Sequence, residues 1–128
     1  MSIAKRTARL LHPIAAGAIV LLVFVQVYLI ADYIFGNADV LNAHVWVGRV
    51  VILLELVVLV TALVGWWGDR SEVGISVGLV VLGLLQASLA KDGGNSSEVH
   101  AFHGMLALAV FFVAWAILLR TRGEVQTR

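Results

Sequence analysis

The sequence predicts an all-α membrane protein, a transmembrane up-down-up-down four-helix bundle that forms a single domain over residues 1–128. Composition is the first reason, because 61% of the residues are hydrophobic and only 13% are charged. Soluble chains are roughly half apolar and about a quarter charged. The second reason is that the apolar residues fall into stretches joined by short polar connections, at about 13–35, 43–67, 73–90 and 99–119.

Each apolar stretch is long enough to cross a bilayer as a helix. About 20 residues, at a rise of about 1.5 Å each, span a hydrocarbon core of about 30 Å. The stretches must be helical because lipid offers no hydrogen-bond partner to a free backbone group. Short connections make consecutive helices antiparallel. His12, just before Pro13, is expected to be a polar residue at the start of the first helix.

The basic residues predict how the bundle is oriented. Seven of the nine Lys and Arg residues lie on one side, before the first helix, between the second and third, and after the fourth. The positive-inside rule therefore places both termini in the cytoplasm and the chain in the plasma (inner) membrane. The net charge of +1 gives no indication of nucleic-acid binding, and the absence of cysteine excludes disulfides and thiolate ligands.

The two halves of the chain share a pattern. Each has a glutamine, a Gly-Asn loop and a His-x-x-x-Gly element that opens the next helix: Gln26, His44 and Gly48 in the first half, and Gln86, His100 and Gly104 in the second. The glutamine and histidine are 18 residues apart in one half and 14 apart in the other. We interpret the pattern as two pseudo-symmetric helical pairs, related by an axis along the membrane normal.

The repeated histidines predict a cofactor site. The second and fourth helices are diagonal in such a bundle, so His44 and His100 are expected to face its core at one depth near the outer face. Imidazole is a common axial ligand of haem, and Gly48 and Gly104 lie one turn further along, where they leave room for a porphyrin. We therefore predict one haem b bound by His44 and His100, for electron transfer or haem handling, with His103 as the alternative ligand.

This arrangement resembles one four-helix half of a haem A synthase. It is also similar to small bacterial four-helix membrane proteins with His-x-x-x-Gly on helices 2 and 4. The resemblance implies that His44 matches the helix 2 ligand and that His100 or His103 matches the helix 4 ligand. In haem A synthases a glutamate just before a ligand histidine is the catalytic carboxylate. Here Leu41, Asn42 and Ala43 precede His44, which argues against haem A synthesis itself.

Charged residues within the helices mark further candidates. Glu55 lies near the middle of the second helix, where a charge is costly and usually functional. It is expected to point towards Gln26 or Gln86, either as a structural hydrogen-bonding group or as a proton or quinone contact. Arg49 faces another direction and is expected to reach the outer interface, pair with Asp32, or hold a haem propionate. A quinone or a redox protein would then exchange electrons with the haem.

Other functions stay open at this level. His44, His100 and His103 together offer three imidazoles, which suits a zinc or copper site. The chain could instead be a cofactor-free structural subunit of a membrane complex, or a homo-oligomer packed through the small residues Gly74 and Gly78. The sequence has no nucleophile triad, phosphate loop or nucleotide fingerprint, so it leaves the question of catalysis undecided.

Overall fold

A computed structural model describes residues 1–92 and 96–126 of the chain. A single turn of 3-10 helix, Ala38–Val40, precedes the second of four long α-helices. The α-helices are α1 (Ile3–Ile34), α2 (Leu41–Gly65), α3 (Arg70–Asp92) and α4 (Ser97–Gln126). The prediction of an all-α four-helix bundle is confirmed, and each helix is long and apolar enough to cross a membrane.

Helix α1 begins well before the apolar stretch predicted at 13–35. It starts at Ile3 because the Ser2 hydroxyl accepts a hydrogen bond from the backbone N–H of Lys5 at 3.3 Å and so caps the first turn. Pro13 lies inside this helix and does not end it. The turn after α1 falls where the polar connection predicts it, at Gly36, whose φ of +112° favours glycine.

The four helices form a ring of neighbours. Helix α1 packs against α2 and α4, and α3 also packs against α2 and α4. Within the described residues α1 makes no backbone approach to α3, and α2 makes none to α4, so these pairs are the diagonals. We call the end with the α1–α2 and α3–α4 connections the histidine end. The opposite end, with the chain termini and the α2–α3 connection, is the terminal end.

Some buried core residues recur at the same spacing in the two halves of the chain, as the interpretation of two helical pairs predicts. Ile19 and Leu79, 60 positions apart on α1 and α3, are both fully buried. Val58 and Ile117, 59 positions apart on α2 and α4, are fully buried as well. The two helical pairs therefore repeat with an offset of 60 on the first helix and 59 on the second.

The outer surface of the bundle is apolar. Leu21, Leu53 and Phe112, on three different helices, are each more than 60% exposed. Exposing this much apolar surface to water would be unfavourable, whereas contact with lipid carries no such cost. With four helices of spanning length, the chain is a multi-pass membrane protein whose surroundings are the bilayer.

Candidate functional site

A cleft of about 650 Å³ opens into the bundle at the histidine end, between all four helices. Its volume lies in the roughly 300–1,000 Å³ range of small-molecule and cofactor sites. Every site residue predicted from the sequence lines it: Gln26, His44, Gly48, Arg49, Glu55, Gln86, His100, His103 and Gly104. The structure therefore brings all the candidates together around one space.

Two histidines face each other across the diagonal of this cleft. The ring centres of His44 on α2 and His103 on α4 are 6.5 Å apart. Nδ1 of His44 is 3.3 Å from the backbone carbonyl oxygen of Gln26, and Nδ1 of His103 is 3.0 Å from that of Gln86. A carbonyl oxygen only accepts hydrogen bonds, so both Nδ1 atoms donate and carry the proton. Nε2 of each ring has no hydrogen bond within the described residues and is left for a ligand.

The structure pairs His44 with His103 rather than with the predicted His100. His100 is exposed and lies at the mouth of the cleft, about one turn before His103. Matching the His-x-x-x-Gly elements of the two halves pairs His44 with His100, 56 positions later. The buried residues of α2 and α4 instead recur 59 positions apart, which is the separation of His44 and His103. The matching contacts to Gln26 and Gln86 follow that second register.

The two predicted glycines differ in what they leave open. A Cβ added to Gly48 would lie 2.8 Å from Nε2 of Gln26, so the Gln26 side chain already occupies that space. A Cβ added to Gly104 would meet no atom within 4 Å. Gly104 therefore widens the cleft, while Gly48 makes room for an amide rather than for a ring.

Gln26 and Gln86 differ in the hydrogen bonding of their side-chain amides. Oriented so that both ends of its amide are satisfied, Gln86 accepts from the backbone N–H of Ala107 at 3.0 Å and donates to the carbonyl oxygen of His103 at 3.1 Å. The same amide nitrogen lies 2.9 Å from Nδ1 of His103, whose proton is directed at the backbone carbonyl oxygen of Gln86. Oε1 of Gln26 is buried and has no hydrogen-bond partner among the described residues. Gln86 thus fixes α3 to α4, whereas Gln26 keeps an unused acceptor at the cleft.

Glu55 is the most isolated polar residue of the cleft. Its side chain is only 1% exposed, and neither carboxylate oxygen has a hydrogen-bond partner within the described residues. The expected contacts to Gln26 or Gln86 are absent from the hydrogen bonds of this part of the chain. The carboxylate instead fills the space beside Gly83 on α3, which has no side chain to oppose it.

Arg49 stands at the wall of the cleft and is exposed. Its guanidinium lies 4.9 Å from the ring centre of Trp46, close enough for a cation–π contact. The expected pair with Asp32 does not form in the described residues, where Asp32 accepts from Asn37 at 2.9 Å instead. Arg49 is therefore held at the cleft with its charge available to an anionic group.

The terminal end holds a polar cluster that sequence reasoning missed. His12 is fully buried inside α1 rather than at a helix start. Its Nδ1 is 2.9 Å from Oγ1 of Thr61, and its Nε2 is 3.1 Å from Oε1 of Glu72. Arg120 reaches the other oxygen of Glu72 at 3.3 Å. Only one signal pointed to this cluster: His12 and Glu72 are 60 positions apart, the offset of α1 and α3.

A metal site with three protein ligands is not formed in the part of the chain described. No group of three or more His, Asp or Glu residues there is arranged to hold a metal ion. The three-imidazole zinc or copper site expected from His44, His100 and His103 thus finds no support in the geometry. The pair of His44 and His103 suits instead a cofactor that brings its own remaining ligands.

Fold and cleft together define a class: a four-helix, multi-pass membrane protein with a facing pair of histidines across one diagonal. No protein-family model, no curated protein and no solved structure matches the chain. The resemblance to half of a haem A synthase therefore stays a prediction.

Proposed function

We propose that the protein binds one haem b between His44 and His103 and serves in electron transfer or haem handling. The observation that carries this proposal is that both imidazoles donate Nδ1–H to the backbone carbonyl of a matched glutamine. Metal-ligating histidines almost always hold their second nitrogen in this way, because the bond fixes the tautomer and aims the free nitrogen at the metal.

The separation of the rings fits an iron held between them. A metal–imidazole bond is about 2 Å, and a ring nitrogen lies about 1 Å from the ring centre, so two axial imidazoles need centres about 6 Å apart. The 6.5 Å between His44 and His103 agrees with this. A tetrapyrrole would supply the remaining ligands that the protein does not offer, together with a one-electron redox couple.

The walls of the cleft fit the rest of a haem. Val23, Val51 and Val110 give the cleft a buried apolar lining, and Gly104 leaves its side of the cleft open. Arg49 supplies a positive charge for a propionate. An apolar interior with a cationic group on the wall is what an amphipathic porphyrin requires.

The proposal includes a location. The charge bias of the sequence supports a plasma (inner) membrane protein with both termini in the cytoplasm, which puts the cleft near the outer face. The electron partner would be a membrane quinone or a redox protein, reached in the plane of the bilayer or from the outer side. Assembly into a homo-oligomer or a larger complex is compatible with the exposed small residues Gly74 and Gly78.

The test is the absorption spectrum of the full-length protein, purified in detergent from haem-replete cells. We expect a Soret band, a reduced spectrum typical of two imidazole ligands, and about one haem per chain by pyridine haemochrome. His44→Ala and His103→Ala should each lose most of the bound haem. His100→Ala is the matched control, since it removes an exposed histidine of the same helix, and it should keep the spectrum.

Three results would overturn the proposal. A purified wild-type protein without a Soret band would leave a cofactor-free structural subunit as the better description. Loss of the spectrum in His100→Ala with retention in His103→Ala would reverse the ligand assignment. Zinc or copper found at one per chain by elemental analysis, without porphyrin, would favour the metal-site alternative.

A further inference from the structure

The Glu55 carboxylate occupies a space that exists because its neighbour on α3, Gly83, has no side chain. Under the offsets of the duplication, Glu55 corresponds to Ala114 and its neighbour Gly83 corresponds to Val23. A Cβ on Gly83 would collide with the carboxylate. The first half thus has a carboxylate where the second half has a methyl group, and α3 has lost a side chain just where that carboxylate lies. A buried carboxylate without a hydrogen-bond partner among the described residues, in a space that a glycine leaves open for it, indicates a role outside packing.

The groups that face Glu55 across the cleft leave its charge uncompensated. From α1 and α3 the cleft is lined by apolar residues, glycine and the amides of Gln26 and Gln86, with no titratable side chain among the described residues. The titratable and charged residues that line it come from α2 and α4: His44, Arg49, His100 and His103. None of them forms an ion pair or hydrogen bond with Glu55 within the described residues.

The core beyond Glu55 is apolar. All four helices contribute fully buried aliphatic side chains to one contiguous hydrophobic cluster there, which we call the apolar layer: Ile19, Val58, Leu79 and Ile117. Val58 lies between Glu55 and Thr61 along α2, so the layer separates Glu55 from the cluster of His12 and Glu72. A proton cannot cross packed aliphatic side chains without a chain of polar groups or water. Glu55 therefore exchanges protons through the cleft, towards the histidine end.

We infer that Glu55 is a redox-linked proton site, which takes up a proton through the cleft when the haem held by His44 and His103 gains an electron. This inference rests on the proposed haem site. The core of a bis-imidazole haem is positively charged when oxidised and neutral when reduced, apart from its propionates. The Glu55 carboxylate would have a counter-charge across a low-dielectric space with an oxidised haem bound, and would lack it with a reduced one. The electron comes from an external one-electron donor, and the proton forms an O–H bond on the carboxylate.

The experiment is a spectroelectrochemical titration of the purified, haem-loaded protein at a series of pH values. One proton bound per electron lowers the midpoint potential by about 59 mV for each unit of pH. We expect the wild type to approach this slope over part of the series. Glu55→Gln keeps the shape of the side chain without its titration and should flatten that part. Glu55→Asp should keep a slope, displaced along the pH axis.

Glu72→Gln is the matched control, because it neutralises the other carboxylate buried in the described part of the chain, beyond the apolar layer. It should leave the slope as in the wild type. A slope that persists in Glu55→Gln would assign the proton to another group, such as a propionate, and overturn the inference, as would a flat wild type. A wild type without a Soret band would instead fail the haem proposal, so the two failures are distinguishable.

Discussion

The two ends of the bundle differ in whether their polar side chains have hydrogen-bond partners. Each places histidine and glutamate between membrane helices, where an unpaired polar group is costly; His44 and His103 are half-buried, whereas His12, Glu72 and Glu55 are buried. At the terminal end both ring nitrogens of His12 and both oxygens of Glu72 have partners within 3.3 Å. At the histidine end His44 and His103 use one nitrogen each, and Glu55 uses neither oxygen.

This difference separates packing from function. A polar cluster whose members satisfy one another holds helices together and needs nothing else. Buried polar groups without partners are rare in folded proteins and call for an explanation such as a ligand or a catalytic role. We therefore assign the terminal end a structural role, joining α1, α2, α3 and α4, while the histidine end is where the proposed cofactor would bind.

The largest stability effect should come from His12→Ala. The substitution leaves Arg120 as the remaining ion-pair partner of Glu72 and removes the side-chain partner of Thr61. It also removes a ring whose centre lies 4.9 Å from that of Trp66. We expect a loss of about 2–3 kcal/mol in unfolding free energy, measured by denaturant titration in detergent micelles. The haem spectrum of the protein that remains folded should be unchanged, and a lost spectrum would contradict the separation of the two ends.

Glu55→Leu should raise the free energy of unfolding, whereas His12→Ala should lower it. Replacing an unpartnered buried carboxylate by an apolar side chain removes a desolvation penalty without breaking any bond, so we expect a gain of about 1 kcal/mol in the same titration. Glu72→Leu is the control and should be destabilising, since it breaks the contacts to His12 and Arg120. Two losses of similar size would show that Glu55 has a structural partner after all.

The smallest net effect is expected for Gly83→Ala. Alanine favours the helix by about 1 kcal/mol over glycine, but its Cβ displaces the Glu55 carboxylate, so the two effects should nearly cancel. In a Glu55→Ala background the same substitution should stabilise by about the full 1 kcal/mol. A double-mutant cycle measures this coupling, and simple additivity of the two substitutions would show that Glu55 does not occupy the space beside Gly83.

Several features of the site could be predicted because they depend on residue type and helical position. Glu55 was expected to point towards Gln26 or Gln86, and the structure puts all three on one cleft. The choice between His100 and His103 could not be made in this way. His100 and His103 lie on one side of the same helix. The α1–α2 and α3–α4 connections differ in length, so the two halves can be matched at more than one spacing. Only the packing of α4 against α3 sets the rotation that brings His103 to Gln86.

The terminal cluster and Gly83 lay beyond sequence reasoning for a related reason. Apolar stretches do not mark where helix α1 begins, and so His12 was expected at an edge rather than in the core. A glycine in a membrane helix is common and has no meaning until its neighbour across the interface is known.

By itself the sequence determined that the chain crosses a membrane as four helices, because hydrophobic length and the need to satisfy backbone hydrogen bonds in lipid leave no alternative. It also determined which few residue types could bind a cofactor. The tertiary structure alone decided which of them face one another. Lipid exerts no hydrophobic force between helices, so their rotation depends on contacts such as Gln86 with His103, His12 with Glu72, and Glu55 with Gly83.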